Sequence, residues 1–267
     1  MSGITTTAVE FVTSADGTRI GFDRQGTGPA VVLISGGSVD RMSNVGLAAA
    51  LAGDGTILNY DRRGRGPSGD TQPYAIAREI EDLAAVIEAA GGSAGVYGSS
   101  SGAVLGLHAA AAGLPIAKLA LWEPPFIVDD SRPRPAADTA SVYRRLVAEG
   151  KRGEAVEYFM STVVGLPDEF VAFAKTQPWW PAQEALAHTL AYDAEIMADY
   201  SLPTELIGRV SVPTLVVHGT SSFEFIGTAA AALTDALPDG RRETLDGQSH
   251  DVDPAVLAPV LARFFAG

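Results

Sequence analysis

The chain has 267 residues, of which 46% are hydrophobic, and this suits one large α/β domain or a domain with an inserted subdomain. Its 19 Lys and Arg against 32 Asp and Glu give a formal net charge of −13, which opposes binding to nucleic acid or to an anionic membrane surface. There is no cysteine, so disulfides, thiolate catalysis and cysteine metal sites are excluded. A small neutral or weakly polar molecule is the expected partner.

The N-terminus, Met1 to Glu10, is rich in Thr and lacks both the basic start and the apolar core of a signal peptide. No apolar run in the chain is long enough to span a bilayer. We therefore expect a soluble, cytoplasmic protein with no membrane partner.

Eight segments are predicted to be β-strands. Val9 to Thr13 and Thr18 to Asp23 flank an Asp-Gly turn and should form an antiparallel hairpin at one edge of a sheet. The others alternate with helical patterns, which predicts an α/β fold with a mostly parallel sheet covered on both faces. These strands are Ala30–Ile34, Thr56–Tyr60, the run that ends at Ser99, Ile116–Leu121, Val212–Gly219 and Arg241–Leu245.

The alternation of predicted strands and helices stops between residues 126 and 209. This stretch has no strand pattern and contains helical segments separated by Gly and Pro and rich in aromatic residues. We interpret it as a helical cap inserted between two strands. The predicted organisation is a core domain of residues 1–125 and 210–267 and a cap subdomain of residues 126–209.

A serine framed by glycines follows the central predicted strand. Gly98 and Gly102 stand two residues before and after Ser100, in the Gly-x-Ser-x-Gly spacing of a sharp strand-to-helix turn that exposes the serine hydroxyl. Such a turn also places the serine at a helix N-terminus, where unpaired N–H groups favour an oxyanion. A plain Gly/Ser loop is the alternative interpretation.

The order of these features resembles the α/β-hydrolase superfamily along nearly the whole chain. The resemblance predicts the α/β-hydrolase fold and a serine hydrolase with a helical cap. It rests on the N-terminal hairpin, Ser35-Gly36-Gly37, the turn Asp61–Ser68, the serine elbow, the cap, Pro213-Thr214-Leu215, and Gly247–His250.

The resemblance implies that Ser100 is the nucleophile and that His250, in the last loop, is its base. The usual acid of the family is absent, because the stretch after His218-Gly219 is Thr-Ser-Ser-Phe-Glu. Some relatives place the acid at the end of the strand before the cap, where this chain has Glu123, an arrangement similar to fungal zearalenone lactonases. Glu123 is therefore the predicted acid, with Glu224 as the alternative; Asp246 or a water-assisted dyad stays open.

Two backbone N–H groups should stabilise the oxyanion, one from Ser101 and one from the loop after the third strand, at Ser38 or Gly37. The basic turn Arg62, Arg63, Arg65 allows anion binding, but the acidic net charge favours a structural role.

The predicted function is cleavage of a carboxylic ester or lactone through an acyl-enzyme intermediate, with no cofactor and no metal. A non-hydrolytic enzyme of the same fold (a lyase, a cofactor-free perhydrolase or a biosynthetic cyclase) and a catalytically silent binding protein remain alternatives. The aromatic cap suggests an apolar substrate, although such residues more often pack than line a pocket. The residues proposed for the substrate pocket are Phe126, Trp179, Trp180 and His188.

Overall fold

The structure is a computed structural model that describes residues 8–267. The expectation of no signal peptide in Met1 to Glu10 thus lies largely outside the described residues. The strands are β1 (Glu10–Thr13), β2 (Arg19–Gln25), β3 (Ala30–Ile34), β4 (Thr56–Tyr60), β5 (Ala94–Ser99), β6 (Ile116–Trp122), β7 (Thr214–Gly219) and β8 (Gly240–Leu245).

The strands form one eight-stranded sheet in the order β1-β2-β4-β3-β5-β6-β7-β8. The β1–β2 and β2–β4 pairs are antiparallel, and all other pairs are parallel. This confirms the predicted mostly parallel sheet with an antiparallel edge. Because the parallel strands all run the same way, the segments after β3, β5, β6, β7 and β8 meet at one edge of the sheet, where open α/β sheets bind ligands.

Helices connect the strands and cover both faces of the sheet. They are α1 (Val45–Leu51), α2 (Ile76–Ala89), α3 (Ser101–Ala111), α4 (Thr139–Ala148), α5 (Arg152–Tyr158), α6 (Asp168–Ala174), α7 (Trp180–Leu186), α8 (Leu190–Met197), α9 (Thr204–Ile207), α10 (Glu224–Ala236) and α11 (Pro254–Ala266). Short 3₁₀ helices span Arg41–Asn44 and Ala187–Thr189, and a π-helix spans Phe159–Val164.

The period-2 alternation of side chains along β3 shows why its continuous apolar run is buried. Val32 and Ile34 pack into a cluster with α2, α3 and α10, whereas Val31 and Leu33 pack into a second cluster with α1 and α11. Two apolar layers therefore hold the central strands in place.

The segment between β6 and β7, all of which the structure describes, contains helices and loops but no strand. We call residues 126–209 the helical insertion. Its helices bury an apolar cluster of their own, which includes Tyr143, Val156, Trp180 and Leu190. The separation of residues 126–209 as a subdomain stays a prediction.

Within residues 8–267, no helix is both long enough and apolar enough to cross a bilayer.

Candidate active site

Ser100 occupies a strained backbone turn between β5 and α3. Its φ is 54° and its ψ is −122°, a conformation that non-glycine residues rarely adopt. The turn is held because Ser100 N–H donates to the Trp122 carbonyl at 2.8 Å and the Ser100 carbonyl accepts from Ala103 N–H at 3.0 Å. Ser100 is half-buried. This is the strand–turn–helix context that the Gly-x-Ser-x-Gly spacing predicts.

The two framing glycines are required by close backbone contacts. A Cβ on Gly98 would overlap the Gly102 carbonyl and lie 2.7 Å from Ala103 Cα. A Cβ on Gly102 would overlap the Ser35 carbonyl oxygen. Any side chain at either position would therefore force β5, α3 and the loop after β3 apart.

His250 and Glu123 meet at the same edge of the sheet although 127 positions separate them. His250 Nδ1 lies 2.7 Å from Glu123 Oε2. A carboxylate only accepts hydrogen bonds, so Nδ1 is the donor. When the ring is neutral, Nε2 then keeps its lone pair, which is the tautomer that a general base for a hydroxyl needs.

Glu123 is fully buried, and every contact of its carboxylate comes from a donor. Oε1 accepts from Gly219 N–H at 2.9 Å and from Ser222 Oγ at 2.5 Å. Its φ of 47° marks a second strained residue, at the end of β6. These contacts satisfy a buried charge and fix its direction toward His250.

Trp122 anchors the histidine loop. The Trp122 side chain is fully buried, and its Nε1–H donates to the His250 carbonyl at 3.0 Å. Trp122 at the end of β6 and the next residue, Glu123, therefore hold the main chain and the side chain of His250, whose side chain is 49% exposed.

Ser100 and His250 line one cavity, but in residues 8–267 no direct hydrogen bond joins them. Hydrogen bonds used in catalysis are often long or poorly aligned without substrate and tighten only in the reacting complex. The structure thus brings all three predicted residues to one edge of the sheet and shows a direct bond for the His250–Glu123 pair.

The two alternative acids, Glu224 and Asp246, lie away from His250. Glu224 is the exposed first residue of α10, and Asp246 is exposed and accepts from Thr220 Oγ1 at 3.0 Å. Neither carboxylate makes a hydrogen bond with His250 among the described residues.

The loop after β3 packs against the serine turn, as expected for an oxyanion site. A Cβ on Gly36 would lie 3.2 Å from Ser100 Cβ, and one on Gly37 would lie 3.5 Å from Ser101 Oγ. Ser101 is the first residue of α3, so its N–H has no partner within the helix. Ser38, with φ of 60°, makes a hydrogen bond from its hydroxyl to Gln183 of the helical insertion.

A buried ion network that the sequence did not reveal joins this loop to the helical insertion. Asp193 on α8 accepts from Arg62 Nη1 and from Arg65 Nη2, each at 2.8 Å, and from Ser101 Oγ at 2.8 Å. Arg65 also donates to the carbonyls of Gly36 and Val39. Burial alone would raise the pKa of Asp193, but the two guanidinium groups and the Ser101 hydroxyl hold that pKa below its usual value.

The basic turn is therefore structural. Arg62 also pairs with Glu79 at 2.7 Å, and Arg63 pairs with Asp82 at 2.7 Å. With Asp193 on Arg65, each arginine of this turn is buried against a carboxylate, which accounts for three cations in one short turn.

A cavity of about 390 Å³ opens above Ser100, and its walls are mostly apolar. One wall comes from residues in and near α1 and α11, and the other comes from the helical insertion. The π-helix Phe159–Val164 supplies much of the second wall, and π-helical turns are often found at functional sites. The residues that this wall contributes include Ile127, Arg132, Phe159, Met160, Val163, Val164, Leu166, Met197 and Tyr200.

None of the four residues predicted to form the pocket lines this cavity. Phe126 is buried in the core beneath the sheet edge with α3, and Trp180 is buried inside the helical insertion. Trp179 is 40% exposed at the surface. His188 lies 3.0 Å from Arg152 through Nδ1 and 3.8 Å from Asp70 through Nε2. Trp180 turns toward the insertion's own core, as large aromatic side chains in short amphipathic helices often do.

Across residues 8–267, no group of three or more His, Asp or Glu side chains is placed to hold a metal ion.

The fold and the serine turn define an α/β protein with a nucleophile elbow of the serine hydrolase type. A family model described as the alpha/beta hydrolase family matches residues 31–260, and the chain belongs to this family.

Solved structures agree with this membership. The chain is similar to an alpha/beta hydrolase from Sphaerobacter thermophilus, with 51% identity and a TM-score of 0.91, over 96% of this chain and 100% of that one. It shares its fold with a thermophilic esterase from Thermogutta terrifontis, at 21% identity and a TM-score of 0.72, over 97% of each chain. It also shares it with an esterase from Exiguobacterium antarcticum, at 18% identity and a TM-score of 0.72, over 97% of this chain and 100% of that one. A search of the curated proteins finds no match.

Proposed function

We propose that this protein is a serine hydrolase that cleaves a carboxylic ester or lactone through an acyl-enzyme intermediate. The observation that carries the proposal is the 2.7 Å contact between His250 Nδ1 and the fully buried Glu123, at a cavity that also contains the strained Ser100 elbow. A buried carboxylate that pairs with one exposed imidazole contributes little to the free energy of folding. A role in catalysis therefore explains the Glu123–His250 pair better than a role in stability.

In the acylation step, Ser100 Oγ attacks the substrate carbonyl carbon while His250 Nε2 takes the hydroxyl proton. Glu123 stabilises the imidazolium that forms and keeps Nδ1 as the donor. The tetrahedral intermediate then collapses, the bond to the alcohol oxygen breaks, and His250 returns the proton to that oxygen.

The negative charge on the intermediate needs preorganised donors. The Ser101 N–H at the start of α3 and an N–H from Gly37 or Ser38 fit this role, because the loop after β3 lies against the elbow. Water then attacks the acyl-enzyme with His250 as base, which releases the acid and restores Ser100.

The cavity supports a substrate with an apolar body, since its wall from the helical insertion is built from aliphatic and aromatic side chains. A lactone remains within the proposal because of the resemblance of the Glu123 position to zearalenone lactonases. In that case the alcohol and the acid produced stay in one molecule.

The experiment is a hydrolysis panel of aryl esters, small lactones and macrolactones with the wild type and Ser100→Ala. We expect turnover of at least one class by the wild type and its loss in the variant. A wild type that cleaves nothing in the panel but binds its members would favour a silent binding protein, and activity retained in Ser100→Ala would exclude the proposed nucleophile.

A further inference from the structure

Arg132 is a cation in the otherwise mostly apolar cavity wall of the helical insertion. Its Nη2 donates to the Val163 carbonyl at 2.8 Å, at the end of the π-helix, and its guanidinium carbon lies 4.7 Å from the centre of the Phe225 ring. Both contacts hold the guanidinium in one place without neutralising it.

The charged side chains that line the cavity differ in whether an oppositely charged side chain pairs with them. Two carboxylates also line the cavity: Asp193, with which Arg62 and Arg65 pair, and Asp251, which is exposed and follows His250 directly. By contrast, no carboxylate among residues 8–267 lies within ion-pair distance of Arg132, and within that range only its Nη2 donates to a protein acceptor. Arg132 is half-buried, and this burial lowers the pKa of its guanidinium.

A guanidinium that is half-buried, fixed and without a counter-ion is suited to bind a carboxylate. Arginine has five N–H donors in a planar fork, and carboxylates match that fork in a bidentate manner. Arg62 and Arg63 hold a carboxylate in this bidentate manner, Arg62 with Glu79 and Arg63 with Asp82. For Arg132, the missing partner has room in the cavity.

We propose that Arg132 forms an anion subsite of the cavity, and that the substrate is an ester or lactone with a carboxylate separated from its scissile carbonyl by an apolar chain. That this molecule is a substrate rests on the proposed function, whereas the binding of a carboxylate at Arg132 does not depend on catalysis. The chain's net charge of −13 opposes an anion at long range. Ionic screening over about 8 Å at physiological salt limits that effect, whereas the contact at Arg132 is short-ranged.

The test compares monomethyl adipate with dimethyl adipate as ligands of Ser100→Ala protein by calorimetry. The pair differs only in one carboxylate, and the serine variant prevents turnover. We expect the monoester to bind about tenfold more tightly, because hydrogen bonds to charged groups contribute enough for that factor. Arg132→Gln in the same background should abolish the preference and leave the affinity for the diester unchanged.

Arg134→Gln is the matched control. Arg134 is exposed and does not line the cavity, and among the described residues it donates only to the Ile127 carbonyl, at 3.0 Å, so its loss should leave the preference intact. Equal binding of the two ligands by the Ser100→Ala protein overturns the subsite, whether or not the Arg132 variant folds. An equal loss of both ligands in Arg132→Gln also overturns it, because Arg132 would then only tie Val163 to Phe225.

The outcomes separate this inference from the proposed function. A preference for the monoester in a protein that hydrolyses no ester would retain the subsite and reject the hydrolase. Ester hydrolysis by a protein that binds both ligands equally would retain the hydrolase and reject the subsite.

Discussion

The substitution Glu123→Gln tests the acid of the proposed triad, and the structure predicts its effect in detail. Two donors, Gly219 N–H and Ser222 Oγ, converge on Oε1 of Glu123. A glutamine must therefore place its carbonyl oxygen there and turn its NH₂ group toward His250 Nδ1. Nδ1 would then have to accept, so the ring proton would move to Nε2, the atom that should take the proton of Ser100.

We expect Glu123→Gln to lower kcat by a factor on the order of 10³ to 10⁴, because the base is then held in the wrong tautomer. This corresponds to about 4 to 5 kcal/mol of transition-state stabilisation. Steady-state kinetics with an ester found in the panel measures it, and a thermal melt verifies the fold.

Glu224→Gln is the matched control for this prediction, because Glu224 is exposed at the start of α10 and should change kcat by no more than about twofold. A Glu123→Gln enzyme within tenfold of the wild type, or a large loss in Glu224→Gln, would refute the assignment.

Asp193→Asn should lower the free energy of unfolding by about 3 to 5 kcal/mol, because it leaves Arg62 and Arg65 buried with less counter-charge. The pKa of Asp193 is below its ordinary value of 3.8 in the folded protein, so this stability is present above about pH 4 and is lost as the pH falls through the lower folded pKa. Urea unfolding of both proteins between pH 7 and pH 3 should show the difference shrinking; a difference independent of pH would contradict this. Gly98→Ala should abolish ester hydrolysis and lower the melting temperature, whereas Gly53→Ala, which meets no atom within 4 Å, should do neither. An active Gly98→Ala enzyme would show that the elbow tolerates a side chain.

The strands and the site geometry were predictable because each has a local signal. The continuous apolar run Ala30–Ile34 is typical of a strand that is buried on both faces of a parallel sheet. The structure has a central strand, β3, with these bounds. The glycines around Ser100 report steric contacts that any fold with this turn must satisfy. Glu123 was predicted from its place at a strand end in a resembling family, and the structure places its carboxylate 2.7 Å from His250 Nδ1.

The cavity wall and the ion network had no such local signal. Asp193 lies in a helix 128 positions from Arg65, and nothing in the sequence indicates that pairing. Trp180 packs inside the insertion, and period and composition do not distinguish a face toward that core from a face toward a ligand. The π-helix that forms the wall differs from an α-helix by a hydrogen-bond shift without a sequence pattern.

Labelling with a fluorophosphonate tests the central claim, an activated Ser100, most directly. The probe bonds to serine Oγ only when a base removes its proton, so it reports the nucleophile without knowledge of the substrate. We predict one adduct on the wild type by intact mass, located on Ser100 by peptide mass spectrometry, and none on Ser100→Ala. A wild type that remains unlabelled, or a label that persists in Ser100→Ala, would contradict the account.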